Sequence, residues 1–187
     1  MAKVFSALDE AMYDFISRQH IFFVASATAH SRVNVSPRST REFRVLDNNT
    51  VCWLDLTGSG NETAAHLRSD GRLTVMFCAF EGLPNILRLY GRGEVLHRKG
   101  AAFAEVLAKA FDGRAPVGMR QIVRLVADRV QTSCGYGVPF FNYQRERPGL
   151  DNWAASKGEA GIEAYWREEN VVSIDGLPTG IVEEAED

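Results

Sequence analysis

The stretch that decides the fold runs from Val51 to Phe80, VCWLDLTGSGNETAAHLRSDGRLTVMFCAF. Val51 to Leu56 has the β-branched, aromatic and aliphatic make-up of a strand. It breaks at Thr57-Gly58-Ser59-Gly60, after which Asn61 to Arg68 reads as one short helix. Ser69-Asp70-Gly71 forms a turn, and Arg72 to Phe80 a second strand. A Gly/Ser/Thr turn at the mouth of a helix gathers unpaired N–H groups, hydroxyl donors and the positive end of the helix dipole, a simple way to hold a phosphate. Most Gly-Ser-Gly turns only reverse the chain, so the anion-binding reading depends on what lies beside this one.

Working towards the N-terminus, Pro37 ends an alternating strand, Arg32 to Ser36, and is followed by Arg38-Ser39-Thr40-Arg41. That strand pairs as a hairpin with the continuous apolar run Ile21 to Ser26. Ahead of it, Ser6 and Asp9 have capping-box spacing, and Leu8, Met12, Phe15 and Ile16 mark one face of a helix reaching about Gln19. Phe43 to Leu46 and Thr50 onward form a second hairpin around Asp47-Asn48-Asn49.

On the C-terminal side, Leu87 to Leu96 is a long strand, with Leu87, Leu89 and Val95 facing one way and Arg88, Tyr90, Arg92 and Glu94 the other. Gly91 and Gly93 permit a bend or a close backbone approach. Lys99 to Phe111 reads as an amphipathic helix and Gln121 to Gln131 as a last long strand. Short strands joined by tight turns, with little helix between, predict a mainly β, α+β chain: a six-stranded antiparallel barrel with flanking helices.

Residues 1–187 read as one domain, with 132–187 as a C-terminal extension able to cover a site. The extension opens on the glycine-rich stretch 132–139, suited to a binding loop. It then predicts a helix near Gly158–Glu168, an edge strand at Val171–Ile174 and a disordered acidic end, EEAED.

Hydrophobic residues at 45% and charged residues at 24% are ordinary for a globular chain, and a net charge of −3 argues against a nucleic-acid-binding surface. The basic residues are nearly all Arg, whose planar fork suits phosphate and carboxylate. Cys52, Cys78 and Cys134 are odd in number and have no metal-ligand spacing. His20, His30, His66 and His97 stand singly and read as surface or cap residues. The N-terminus has no long apolar run and no segment could span a membrane, so a cytoplasmic location is expected.

Nucleophilic catalysis has little support: Ser133-Cys134 has no His nearby in sequence, and Asp55 and Glu62 lack an obvious acid/base partner. No catalytic residue or metal ligand is assigned. What remains is a phosphate-binding set, Ser36 and Arg38 leaving one strand and Thr57, Ser59, Gly60 and Asn61 leaving another. If the two strands are neighbours, both ends open on one rim.

The order strand–VSPR–strand–WLDLTGSGN–helix–SDGRLTVMF–LRLYGRGEV, over roughly residues 8–131, resembles the flavin-binding split β-barrel family of pyridoxamine 5′-phosphate oxidase. The resemblance implies a homodimer with FMN in a cleft between subunits. Arg38 matches the basic residue closing the family's first phosphate strand, Leu54 and Asp55 the positions beside the flavin ring, and Ser59 the serine of a Ser-Arg-Lys turn. Gly60 and Asn61 replace that Arg and Lys, and Val33 an earlier Arg, leaving phosphate charge to Arg38 with Arg88 or Arg41.

The oxidase's C-terminal Arg/His substrate pattern is not recognisable in residues 132–187, which points to a flavin-dependent oxidoreductase with another small-molecule substrate. Cys134, Tyr136 and Arg145 are the candidates to shape its pocket. Two alternatives stay open: a reductase using the deazaflavin F420 on the same barrel, and a non-catalytic flavin or haem carrier.

Overall fold

The computed structural model describes residues 2–182. Its strands form one curled antiparallel sheet in the order β3-β2-β6-β7-β8-β5-β4, with β1 added against β8. In chain order the elements are β1 (Lys3–Phe5), α1 (Glu10–Ser17), β2 (Ile21–Ser26), β3 (Asn34–Ser39), a 3₁₀ turn (Thr40–Glu42), β4 (Phe43–Val45), β5 (Thr50–Leu56), α2 (Glu62–Ser69), β6 (Arg72–Cys78), β7 (Ile86–His97), α3 (Ala101–Phe111), β8 (Met119–Ser133) and α4 (Gly149–Glu169). The sheet has eight strands rather than six, because Lys3–Phe5 adds along the end of β8 and the short Phe43–Val45 ladder counts separately. Strands β3 and β4 are its two ends, so the half-barrel keeps an open seam.

Local chemistry explains most boundaries. Asp9, not Ser6, caps α1: its carboxylate accepts from the Met12 N–H at 2.9 Å. Strand β2 buries alternate residues, with Phe22 and Val24 inside, as expected for a strand with one face on a core. Gly91 lies where the β7–β8 register slips. A Cβ there would come 2.0 Å from the Val126 carbonyl oxygen, so this bulge requires glycine. Helix α4 starts nine residues earlier than the sequence suggests and changes direction at Gly158, whose φ of 65° few other residues adopt. Val171–Ile174 contributes only an isolated bridge, Val172 to Pro178. The acidic end, 183–187, lies outside the described residues.

The barrel is filled by an aromatic group. Phe22 meets Phe43 at 4.8 Å and Trp53 at 5.5 Å between ring centroids, and Phe43 meets Phe77 edge-on at 5.1 Å. Each such buried ring removes enough apolar surface to contribute about 2–3 kcal/mol. A second cluster, Leu54, Leu96, Ile122 and Met119 with Phe103 and Phe111, seats α3 on the outer face of the sheet. A third and smaller one, Ala154, Ile162 and Trp166, belongs to α4.

Candidate functional site

The two turns singled out in the sequence do converge. Strand β5 carries Asp55 to the rim, and Arg38 reaches across the seam from β3, its Nη1 2.6 Å from Asp55 Oδ1. On the other side β5 pairs with β8. Asp55 lies opposite Gln121 while Leu56 lies opposite Met119, so Arg120 is the extra residue of a bulge. That bulge brings both side chains to one oxygen: Arg120 Nε and Gln121 Nε2 each donate to Asp55 Oδ2 at 2.7 Å. Gln121 also donates to Asn61 Oδ1 at 2.9 Å.

Asp55 is 1% exposed. Burial alone would raise its carboxyl, but the Arg120 and Arg38 guanidiniums outweigh burial and hold it below the ordinary carboxylate range. Two guanidiniums against one carboxylate leave this cluster with one net positive charge.

The C-terminal segment closes over the glycine turn. Trp166 Nε1 donates to Thr57 Oγ1 at 2.8 Å, and Thr57 Oγ1 donates to the Gly118 carbonyl at 2.6 Å. Asn170 Nδ2 donates to the Gly58 carbonyl at 3.1 Å, while Arg120 Nη1 donates to the Gly60 carbonyl and to Asn170 Oδ1, both at 2.9 Å. Glu62 stays beside the rim, its Oε1 close against Gly60, and its Oε2 accepts from the Ile174 N–H at 3.0 Å, which leaves a carboxylate next to the glycine turn. Asp175 accepts from the Arg32 N–H at 2.8 Å. The extension from α4 onward therefore braces its own subunit.

The nine cofactor candidates separate into three groups. Arg38, Ser36, Ser59 and Gly60 lie at the rim with some exposure. Leu54, Asp55, Thr57 and Asn61 are buried: Leu54 packs in the α3 cluster, and the other three are engaged in the network just described. Arg88 is elsewhere, on β7, donating to Ser133 Oγ at 3.1 Å. Arg41 is also occupied, gripping Asp151 with two bonds of 2.7 and 3.0 Å.

Of the first group, Arg38 has its Nε buried without a hydrogen-bond partner while its side chain as a whole stays 20% exposed. Arg120, Gln121, Trp166 and Asn170 complete the site yet stand in no sequence motif. His66 is a further correction: it is 1% exposed, with Nδ1 3.0 Å from Ser26 Oγ.

Of the pocket candidates, Arg145 alone lines the large cleft, of about 1710 Å³, between the end of α1, the β6–β7 loop and the segment after β8. Tyr136 stands 84% exposed and Cys134 is exposed, both outside it. Among the described residues no group of three His, Cys, Asp or Glu could hold a metal, and no helix is long and apolar enough to cross a membrane.

Residues 8–134 match the family model described as pyridoxamine 5′-phosphate oxidase. A pyridoxamine 5′-phosphate oxidase family protein of Aspergillus flavus, ustO, is 36% identical over 192 residues, covering 93% of this chain and 76% of its own length. Among solved structures, HupZ of Group A Streptococcus is 24% identical with a TM-score of 0.53, over 66% of this chain and 91% of its own. A putative pyridoxamine 5′-phosphate oxidase of Lactobacillus delbrueckii is 19% identical with a TM-score of 0.52, over 67% and 94%. At these identities the two structures speak for the fold.

Proposed function

The chain belongs to the pyridoxamine 5′-phosphate oxidase family, and on that premise we propose that it is a cytoplasmic, homodimeric FMN-dependent oxidoreductase acting on a small molecule other than pyridoxamine phosphate. The observation that carries this reading is Arg38. A guanidinium with a buried, unpartnered Nε at the edge of a cluster of net charge +1 is a built receptor for one anionic group. Ser59 and Ser36 would supply neutral hydroxyl donors, and Asp55 holds the Arg38 guanidinium by a close charge contact. Bound flavin supplies the redox chemistry itself, so the residues of this chain have only to hold and orient it. Leu54 is buried beneath α3 and Asp55 between Arg38 and Arg120, so neither side chain offers a surface to the flat ring.

The test is a visible spectrum of the purified protein, followed by FMN and riboflavin titrations. Wild type should bind FMN more tightly than riboflavin. Arg38→Ala should lose about 1.5–3 kcal/mol of FMN affinity and most of that preference; Ser59→Ala should lose about 0.5–1.5 kcal/mol. Equal FMN binding by both variants and wild type would overturn the assignment, as would tighter binding of F420 or haem than of FMN.

A further inference from the structure

The segment after β8 crosses residues 139–148 without regular structure, yet it is pinned to the body at several points. Phe141 N–H donates to the Phe80 carbonyl at 3.1 Å, and the two rings meet edge-on at 5.4 Å. Tyr143 stacks on His20 at 3.7 Å between centroids, its N–H donating to Glu81 Oε1 at 3.0 Å and its hydroxyl to Glu146 Oε1 at 3.2 Å. Just beyond, Arg41 holds Asp151 at the start of α4. Between these contacts of the strap lies the 1710 Å³ cleft.

The lining of that cleft is unbalanced. Arg18 comes from the end of α1, and Arg145 and Arg147 from the strap. None of the three guanidiniums has an ion pair or side-chain hydrogen bond among the described residues; the two lining carboxylates, Glu81 and Glu146, accept from Tyr143 and keep their charge, so the lining is net +1. Between the charges run the aromatic faces of Phe80, Phe141 and the His20–Tyr143 stack. The volume exceeds the roughly 300–1,000 Å³ typical of a pocket for one compact small molecule.

We infer that this cleft is a binding site for an elongated anionic ligand that spaces two or more acidic groups along an aromatic or apolar body. Guanidiniums on both walls take the acidic groups, and the aromatic residues between them take the flat part. None of the rim residues Ser36, Arg38, Ser59 or Gly60 lines the cleft, so the site does not depend on the flavin reading.

The probe is bis-ANS, two sulfonates on a long aromatic frame, titrated by fluorescence against the full chain. The expected result is one saturable site whose affinity falls as salt rises. Arg145→Ala with Arg147→Ala should weaken it by about tenfold or more, and Arg18→Ala alone, on the opposite wall, should also weaken it. Arg72→Ala, on a distant exposed ion pair, should leave it unchanged. Because the three cleft arginines support nothing else in the fold, melting temperatures should match wild type. Unaltered bis-ANS affinity in the cleft variants would overturn the inference, and so would the absence of saturable binding because a second copy of the chain fills the cleft.

Discussion

Arg38 and Asp55 meet across the open seam of the sheet, the Arg38 Nη1 2.6 Å from Asp55 Oδ1, tying the end strand β3 to β5 where no backbone ladder joins them. The contact is a close charge pair rather than an aligned hydrogen bond, and its partners differ in burial, 20% against 1%. Arg120 takes the other carboxylate oxygen at 2.7 Å and is itself buried. The same carboxylate thus closes the half-barrel electrostatically and leaves one guanidinium poised at the rim.

Removing that charge should be costly. Asp55→Asn leaves Arg38 and Arg120 without a counter-charge in a buried setting, a loss of about 3–5 kcal/mol. The pH dependence follows from the sign of the shift. The folded carboxyl lies below its unfolded value of about 3.9, so its contribution is fully present above that pH and is lost as pH falls through the folded value. Urea unfolding between about pH 3 and pH 8 should show wild type weakening at the acid end and the variant weakening less steeply. Asp151 and Asp175 are also depressed, chiefly by hydrogen bonds from Arg41 and from the Arg32 N–H, so the acid slope should shrink rather than vanish.

The C-terminal brace should yield to a single atom. Trp166→Phe deletes the N–H that reaches Thr57 Oγ1, worth about 1 kcal/mol, and trims a buried bicycle to a single ring, which adds a cavity cost. Thr57→Val removes both bonds of that hydroxyl and orphans the buried indole N–H, so about 2–3 kcal/mol is expected. Wild-type denaturation midpoints in both variants would contradict this account of the network.

Arg41→Ala should act locally. The Arg41 side chain is 39% exposed and its pair with Asp151 is screened, so the stability loss should be only about 0.2–1 kcal/mol. The strap loses one anchor, however, and limited proteolysis should cut residues 139–149 faster than in wild type.

The cysteines should differ sharply in reactivity. Burial pushes the Cys52 thiol up to about 12 and raises Cys78 as well, while Cys134 is exposed. Under native conditions a disulfide reagent should titrate one thiol rapidly, and Cys134→Ser should abolish that fast phase. All three should react after unfolding.

Gly91→Ala places a methyl against backbone that cannot move aside, 2.0 Å from the Val126 carbonyl oxygen. A loss of about 3 kcal/mol or more is expected, read as a lowered denaturation midpoint or as insoluble protein.

The order of strands and helices around Val51–Phe80 was legible in the sequence because it rests on local facts: period-two burial in Ile21–Ser26, turn residues at Gly58–Gly60 and an apolar stripe on α1. Arg38 and the glycine turn were legible as separate features, but the contact Arg38 makes is with Asp55, which no local pattern announces. The family pattern stayed readable for the same reason, since short motifs in fixed order survive where overall identity does not.

What the sequence could not fix is which partner each polar group takes. Arg120 reaches Asp55 only because a one-residue slip in the β5–β8 ladder turns it there, and Asn170 caps Gly58 only because α4 folds back across more than a hundred residues of chain. Such pairings depend on distances between elements remote in sequence, and composition and periodicity carry no information about those. The sequence alone determined a half-barrel of the pyridoxamine 5′-phosphate oxidase type. Tertiary packing decided that a buried aspartate holds Arg38 and Arg120 together, and that three arginines around a separate cleft have no ion pair among the described residues.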